Sequence, residues 1–188
     1  MSFRQRLLHK AENETKALIK QGKNHPTPAM IRVFRDVELM QEYTREKNPY
    51  EPLLAFVYSH LARVFHFGYG FYGVVANKDE RIAAIYAKMS SEMGCSNGMY
   101  FWACHMFYGV GVQKNVKRAY LTSRQSAMLG SADAFRNVYA CMANGWGVKK
   151  NQKEFDELNK RLMRANVDVA NVKELSERTA KELLCDLG

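Results

Sequence analysis

One short segment occurs twice in this chain, and the two copies lie 36 residues apart. Residues 109–115 read GVGVQKN and residues 145–151 read GWGVKKN, so both glycines, a valine, a lysine and the asparagine recur in register. An earlier Gly-x-Gly step at 68–70 lies five residues before the position that this period requires, which indicates an insertion at 72–76. A fixed period of this length is typical of repeat architectures, in which each unit is one supersecondary element stacked on the next.

The three units share one internal plan: an apolar helix-like segment, a Gly-x-Gly turn and a second helix-like segment. The first segments lie at about 53–67, 97–108 and 133–144, and the second segments at about 79–93, 115–129 and 152–165. A single αα-hairpin cannot bury its own apolar face, whereas three or more stacked hairpins can. The sequence therefore predicts a solenoid of helical hairpins.

Glycines and short polar residues stand where these helices should end and begin. Glycine readily adopts the positive φ that closes a helix, which predicts C-caps at the ends of the first segments. These glycines are Gly68, Gly109 and Gly145. Short polar side chains can accept hydrogen bonds from the free N–H groups of a first helical turn. The predicted N-caps of the second helices are Asp79, Asn115 and Asn151.

This pattern resembles the Sel1-like repeats, a family of helical repeats related to the tetratricopeptide repeats. The middle unit carries the family positions Trp102-Ala103, Met106, Gly109, Gly111-Val112, Lys114-Asn115, Ala119, Ser126-Ala127 and Gly130. The resemblance covers about 55–165, and it departs from the family at Phe155, where alanine is usual, and in the 72–76 insertion. It implies an all-α fold, a right-handed α-solenoid of αα-hairpins.

The two ends of the chain lack the Gly-x-Gly signature and are interpreted as caps. Residues 1–50 are predicted to be an N-terminal helical hairpin, with helices at about 2–22 and 29–47 and a break at Gly22 and 24–28. The three repeats then occupy 51–166, at about 53–94, 97–130 and 133–166. Residues 167–188 are predicted to be a C-terminal capping helix, with a helical pattern at 171–187, in one continuous domain. A capping helix supplies the polar outer face that the end of a solenoid needs. The alternative is that this helix docks to a partner.

The N-terminal residues and the cysteines predict a compartment. The first residues carry charge in place of an apolar signal core, and no stretch approaches eighteen uncharged apolar residues. We therefore expect neither a leader peptide nor a membrane span. Four cysteines, Cys95, Cys104, Cys141 and Cys185, form no CxxC pair, which favours reduced thiols and a cytoplasmic location.

The chain is basic, with 28 Lys and Arg against 19 Asp and Glu and a formal charge of +9. Between Glu92 and Asp133 there are four basic residues and no acidic one. Such a field can steer an acidic protein surface or a nucleic-acid backbone towards the protein. The alternative is a solvated face that keeps the protein in solution.

The sequence contains no persuasive catalytic or metal-binding motif. The five histidines include no HExxH pair, and His105 lies in an apolar helix-like segment, where a core or groove position is expected. Gly109 and Gly111 follow a helix-like segment and not a strand, which argues against a dinucleotide-binding loop. The lack of carboxylates in the central unit leaves no acid–base pair there. We expect no enzymatic activity, no metal and no cofactor.

The resemblance implies that the first helix of each unit lines a concave groove, in which the positions not used for packing bind a partner. These positions are Ser59, Arg63, His66, Tyr100, Cys104, Phe107, Tyr108, Arg136, Ala140 and Asn144. Aromatic and arginine side chains anchor many interfaces. Tyr100 and Arg136 are expected to be exposed, since arginine is rarely buried without a partner. For Phe107, packing between helices and contact with a partner are both open.

Two functions from different classes remain. The first is a non-enzymatic protein–protein interaction module or adaptor that holds a partner protein, one with an acidic surface, in the concave groove. The second is a binder of nucleic acid or another polyanion that uses the basic N-terminal and central surface together with aromatic stacking. A nucleic-acid binder predicts a steep loss of affinity with salt, whereas an adaptor built on apolar anchors predicts a shallow one.

Overall fold

The computed structural model describes residues 1–21, 26–173 and 175–187, apart from the side chain of Phe71. Over these residues the chain forms ten α-helices and one short 3-10 turn, Phe71–Gly73, without a β-strand. The helices are α1 (Phe3–Lys20), α2 (Pro28–Phe34), α3 (Val37–Tyr43), α4 (Glu51–Phe67), α5 (Glu80–Glu92), α6 (Ser96–Tyr108), α7 (Val116–Met128), α8 (Ala132–Asn144), α9 (Gln152–Arg164) and α10 (Glu177–Leu184). The all-α prediction is confirmed.

The helix ends next to the Gly-x-Gly turns are the ones that the sequence predicts. Helices α4, α6 and α8 each end at a glycine in the left-handed conformation, with φ of 81° at Gly68, 75° at Gly109 and 76° at Gly145. Short polar side chains accept hydrogen bonds from the first-turn N–H groups of α5, α7 and α9. These N-cap residues are Asp79, Asn115 and Asn151. The turn residues therefore fix where each hairpin reverses.

The hairpins stack in two layers. Helix α4 packs on α5 and α6 packs on α7, and α4 also packs directly on α6, so the first helices of the pairs form one layer. We call the exposed side of this layer of first helices the inner face. Buried serine hydroxyls join the two helices of a pair: Ser90 Oγ donates to the Ala55 carbonyl at 2.8 Å, and Ser126 Oγ donates to the Ser96 carbonyl at 2.7 Å. Ser90 and Ser126 are one period apart, so the same bond recurs in successive repeats.

The N-terminal region differs from the prediction in one respect. The single helix expected at 29–47 is wrong, because α2 ends and α3 begins on either side of Asp36. Asp36 has an extended backbone, and its carboxylate accepts a hydrogen bond from the Leu39 N–H at 2.9 Å, which caps α3. The apolar periodicity continues through this break and conceals it. The break predicted at Gly22, Asn24 and His25 lies outside the described residues.

The insertion after the first Gly-x-Gly step folds into a tight loop against the N-terminal helices. The Gly70 N–H donates to the Val74 carbonyl at 2.9 Å. Tyr72 has a positive φ of 65°. Its ring lies nearly parallel to those of Phe34 and His60, with centroids 6.4 Å and 6.2 Å away. The insertion thus packs the first repeat onto α2.

The buried apolar residues form two large clusters, one at each end of the helical stack. The first cluster is formed mainly by helices α1, α2, α3 and α4 and contains the buried side chains of Phe34 and Leu61. The second is formed mainly by helices α7, α8, α9 and α10 and contains Phe135 and Leu158. Helix α6, between them, contributes Phe101 to a smaller cluster. The central repeat thus contributes to both the smaller cluster, through Phe101 of α6, and the second large cluster, through Tyr120 and Ala127 of α7.

Helix α10 begins at Glu177, later than the helical pattern at 171–187 suggests. It packs against α7 and α9. The Arg124 guanidinium donates to the carbonyls of Leu184 at 3.0 Å and Leu187 at 2.7 Å, and Arg161 donates to the Cys185 carbonyl at 2.7 Å. Arginines of the repeats thus satisfy the carbonyl groups at the end of the last helix.

Candidate functional site

The predicted groove residues lie on the three first helices, α4, α6 and α8. Four of them, Cys104, Phe107 and Tyr108 of α6 and Ala140 of α8, line a pocket of about 110 Å³. Its lining consists of Ala103, Cys104, Phe107, Tyr108, Ser123, Asn137, Ala140, Cys141 and Trp146. None of these side chains carries a charge at neutral pH, so the pocket is a neutral, largely apolar depression. We call it the α6–α8 pocket.

Aromatic rings form the rim of the α6–α8 pocket. The Phe107 ring meets those of Tyr108 and Trp146 edge to face, with centroids 5.0 Å and 5.7 Å away. Phe107 is half-buried, whereas Tyr108 is 70% exposed and Trp146 is 47% exposed. Phe107 therefore supports two exposed aromatic side chains. Edge-to-face contacts hold such rings in a defined arrangement.

The environment of the two thiols in the pocket disfavours their thiolate form. Asn137 Nδ2 donates to Cys104 Sγ at 3.6 Å. Burial raises the pKa of the Cys104 thiol. Burial also raises the pKa of the Cys141 thiol, to about 11. Because the thiolate is the nucleophilic form, burial at these positions does not activate either thiol as a nucleophile.

The predicted groove residues of α4 do not line the α6–α8 pocket. Ser59 is only 3% exposed, so its side chain is not available to a partner. The Arg63 guanidinium lies over the Phe67 ring, 5.1 Å from the centroid. The His66 ring packs edge to face on that of His105 in α6, with centroids 5.1 Å apart. Burial, followed by the neighbouring His105, lowers the pKa of His66, so this pair is uncharged and belongs to the contact between α4 and α6.

The other predicted groove residues of α6 and α8 differ in exposure: some pack within the protein and others face solvent. The Arg136 guanidinium donates to the Val172 carbonyl and to the Asp133 carboxylate, so it fastens the segment before α10. Tyr100 is half-buried, and burial is the main cause that raises its pKa. The expected exposure of Tyr100 and Arg136 is therefore only partial. Asn144 is exposed at the end of α8.

The structure thus brings Cys104, Phe107, Tyr108 and Ala140 into one site and leaves the α4 residues outside it. Sequence reasoning missed Asn137 and, above all, Trp146 as members of this site. Trp146 is the middle residue of the next Gly-x-Gly turn, so it comes from another repeat. The period itself was the available signal, because each turn packs beside the end of the preceding first helix.

The turns that follow α6 and α8 carry lysines a few residues after the aromatic side chains of the rim. A Cβ atom on Gly109, the residue after Tyr108, would lie 3.1 Å from the Lys114 Cβ. The corresponding distance from Gly145, the residue before Trp146, to the Lys150 Cβ is 3.2 Å. Within the described residues, Lys114, Lys149 and Lys150 form no ion pair, whereas Lys78 in the first turn pairs with Glu80 at 2.8 Å. The lysines of the second and third turns therefore differ from that of the first in having no carboxylate partner among the described residues.

Over residues 1–21, 26–173 and 175–187, no group of three or more His, Cys, Asp and Glu side chains is placed to hold a metal ion. None of the helices in these ranges combines the length and the apolar character that a membrane crossing requires.

Comparisons with known proteins identify the fold. No family model matches the chain, and no curated protein matches it. The solved structure of a Sel1 repeat protein from Oxalobacter formigenes is similar, with a TM-score of 0.51 and 20% sequence identity. The match covers 84% of this chain but only 63% of that chain, so this chain corresponds to less than two thirds of it. At this identity the likeness shows the fold alone, which is a Sel1-like helical repeat.

Proposed function

We propose that this protein is a protein–protein interaction module or adaptor that does no chemistry of its own and binds a partner on the inner face of its helical stack. The observation that carries the proposal is the neutral α6–α8 pocket with the exposed side chains of Tyr108 and Trp146 at its rim. Aromatic anchors around a pocket that excludes water are typical of interface hot spots. Sel1-like repeat folds generally serve in protein–protein interaction, which supports the same proposal.

The proposed contact residues follow from exposure and position. Tyr108, Asn144 and Trp146 present exposed side chains, and Phe107 and Cys104 form the floor between them. The other predicted residues with half-buried side chains would contact a partner at the edge of the face. These are Arg63, His66, Tyr100 and Arg136. Ser59 is left out because it is buried.

The proposed absence of catalysis draws support from the state of the titratable groups in the site. Burial raises the pKa of both pocket thiols and so keeps them protonated. The pocket lining contains no carboxylate or histidine that could act as a general acid or base. All four cysteines are free thiols, which supports the further proposal of a cytoplasmic location.

Affinity capture from a lysate of the source cells, with and without nuclease, tests the proposed function. A protein recovered in stoichiometric amount after nuclease treatment, with an affinity that falls only slightly as salt rises, is the expected result. The loss of every partner after nuclease treatment would contradict the proposal.

Binding of nucleic acid is the second candidate, and one observation favours it. Lys114, Lys149 and Lys150 lie in turns that follow or contain exposed aromatic residues, and single-strand binding surfaces combine such basic and aromatic groups. In that case affinity would fall steeply with salt, because each phosphate contact releases counterions. The same capture experiment, repeated over a range of salt concentrations, separates the two candidates.

A further inference from the structure

We propose that the α6–α8 pocket receives one leucine- or methionine-sized side chain from an acidic segment of a partner protein, with the flanking carboxylates held by Lys114, Lys149 and Lys150. This inference rests on the proposed function and specifies its partner. Three features of the site carry it: the size of the pocket, its neutral lining and the charge at its rim.

The size of the pocket selects one aliphatic side chain. Its volume is about 110 Å³. Sites for small molecules and cofactors are commonly about 300–1,000 Å³, well above this value. An apolar cavity of about 150 Å³ accommodates a benzene ring, so the smaller pocket suits an aliphatic chain better than an aromatic ring. Leucine and methionine are therefore the side chains that fill it best.

The lining of the pocket favours an apolar occupant. Phe107, Ala103 and Ala140 supply apolar walls, and the Asn137 amide donates to the Cys104 sulfur. A nucleobase in this space would bring several ring and exocyclic polar atoms that require hydrogen-bond partners. An aliphatic side chain brings none. The occupant is thus a protein side chain, and binding of nucleic acid becomes a contrary outcome of the test.

The positive charge near the rim favours acidic residues on both sides of the anchoring side chain in the partner segment. Lys114 follows the turn after Tyr108, and Lys149 and Lys150 follow the turn that contains Trp146. Among the described residues these three lysines have no carboxylate partner, and no acidic residue occurs between Glu92 and Asp133. Two nearby carboxylates are already engaged: Glu80 pairs with Lys78, and Glu154 accepts a hydrogen bond from Asn151 at 2.7 Å. Charge complementarity therefore favours carboxylates on both sides of the anchoring side chain.

A peptide series tests the proposal directly. The probes are seven-residue peptides in which three glutamates stand on each side of a variable central residue: leucine, methionine, phenylalanine, alanine or serine. The readout is the fluorescence of Trp146 in the full chain carrying Trp102→Phe, because Trp146 lines the pocket. We expect saturable binding in which the leucine and methionine peptides bind at least tenfold more tightly than the alanine peptide. The phenylalanine peptide should bind less tightly than the leucine peptide.

Matched variants locate the binding. Ala140→Leu fills the pocket from α8 and should weaken the leucine peptide at least tenfold, whereas Ala17→Leu on the exposed face of α1 should leave its affinity unchanged. Tyr108→Ala removes an exposed ring without touching the buried core and should also weaken binding, which keeps the test valid if Ala140→Leu fails to fold. Circular dichroism and thermal unfolding check each fold.

The charge requirement has its own pair of variants. Lys114→Glu with Lys150→Glu should weaken the leucine peptide at least tenfold. Lys160→Glu with Lys173→Glu changes the net charge equally at exposed sites elsewhere and should have less than a twofold effect.

Three outcomes would overturn the pocket proposal: equal affinity for the leucine and alanine peptides, tighter binding of single-stranded oligothymidine than of any peptide, or no binding of the series. A nuclease-resistant partner whose binding depends on other residues of the inner face would then leave the proposed function standing, so the two failures are distinguishable.

Discussion

Gly111, in the turn of the second repeat, lies directly against the backbone carbonyl oxygen of Glu80 at the start of α5 in the first repeat. The same relationship recurs one period later, where Gly147 lies against the Val116 carbonyl at the start of α7. In both turns a Cβ atom would overlap the carbonyl group of the preceding repeat. At the second glycine of the Gly-x-Gly step, the backbone of one repeat therefore packs directly against the backbone of the preceding repeat.

Replacing this contact glycine should destabilise the stack. We expect Gly111→Ala to lower the free energy of unfolding by about 3 kcal/mol, because a Cβ atom adds backbone strain at positive φ and displaces the Glu80 carbonyl. Gly94→Ala is the matched control: Gly94 also has a positive φ, of 79°, but has no atom within 4 Å of an added Cβ. It should lose only about 1 kcal/mol. Urea unfolding measures both values, and equal losses would show that the contact contributes nothing.

The recurring serine bond makes a second prediction. Ser90 and Ser126 are buried, and each hydroxyl donates to a carbonyl of the other helix in its pair. Removal of one hydroxyl by Ser90→Ala or Ser126→Ala should lower the free energy of unfolding by about 1 kcal/mol, since each carbonyl loses a partner away from water. Ser91→Ala, at a half-buried neighbouring position of α5, should change stability little. A loss at Ser91 as large as that at Ser90 would contradict this role.

Stability should fall as the solution becomes more acidic than about pH 6.5. Burial lowers the pKa of His60 from 6.5 to about 4. Between these values the unfolded chain binds a proton that the folded protein does not, so folding is disfavoured as pH falls. This histidine alone should remove about 3 kcal/mol by pH 4.

His60→Phe isolates that contribution, because the substitution keeps a ring stacked on Phe34, 3.9 Å away, and removes the titration. The free energy of unfolding, measured at several pH values, should change less with pH in the variant. Parallel pH profiles for the two proteins would contradict the prediction. Burial lowers the pKa of His66 and of His105 as well, and these residues add to the slope in both proteins.

The four thiols should react at very different rates. Cys141 is buried and its pKa is raised to about 11, so almost none of it is thiolate at pH 8. Cys185 is exposed and should be the first to react with iodoacetamide, although hydrogen bonding to Asp186 raises its pKa. Mass spectrometry of the folded protein after brief labelling checks the order. Early modification of Cys141 would mean that α8 opens readily.

The period and the cap residues were enough to predict the repeats. Gly109 ends the helix directly before it and Asn115 caps the helix directly after it, so both roles can be deduced from the local sequence. Both predicted caps are confirmed. The break at Asp36 was missed for the opposite reason: the apolar period continues across it, although α2 has ended at Phe34 and the Asp36 carboxylate, which accepts from the Leu39 N–H, caps the start of α3.

The candidate site could be predicted only in part. Phe107 and Tyr108 follow from their place at the end of a first helix, but the pocket is completed by Trp146 and Asn137 from the next repeat. Arg136 looked exposed in sequence, yet it bonds to the Val172 carbonyl, 36 residues away. Such contacts depend on how repeats stack and how the chain returns after α9, which no local pattern specifies.

The measurement that tests the central claim most directly is the affinity for the captured partner of two matched double variants. Tyr108→Ala with Asn144→Ala alters exposed residues of the inner face, and Ile85→Ala with Leu121→Ala alters exposed, equivalent positions of α5 and α7. We predict that the first pair weakens binding at least tenfold and that the second leaves the dissociation constant unchanged. The reverse result, or no effect of the inner-face pair, would contradict binding on the inner face.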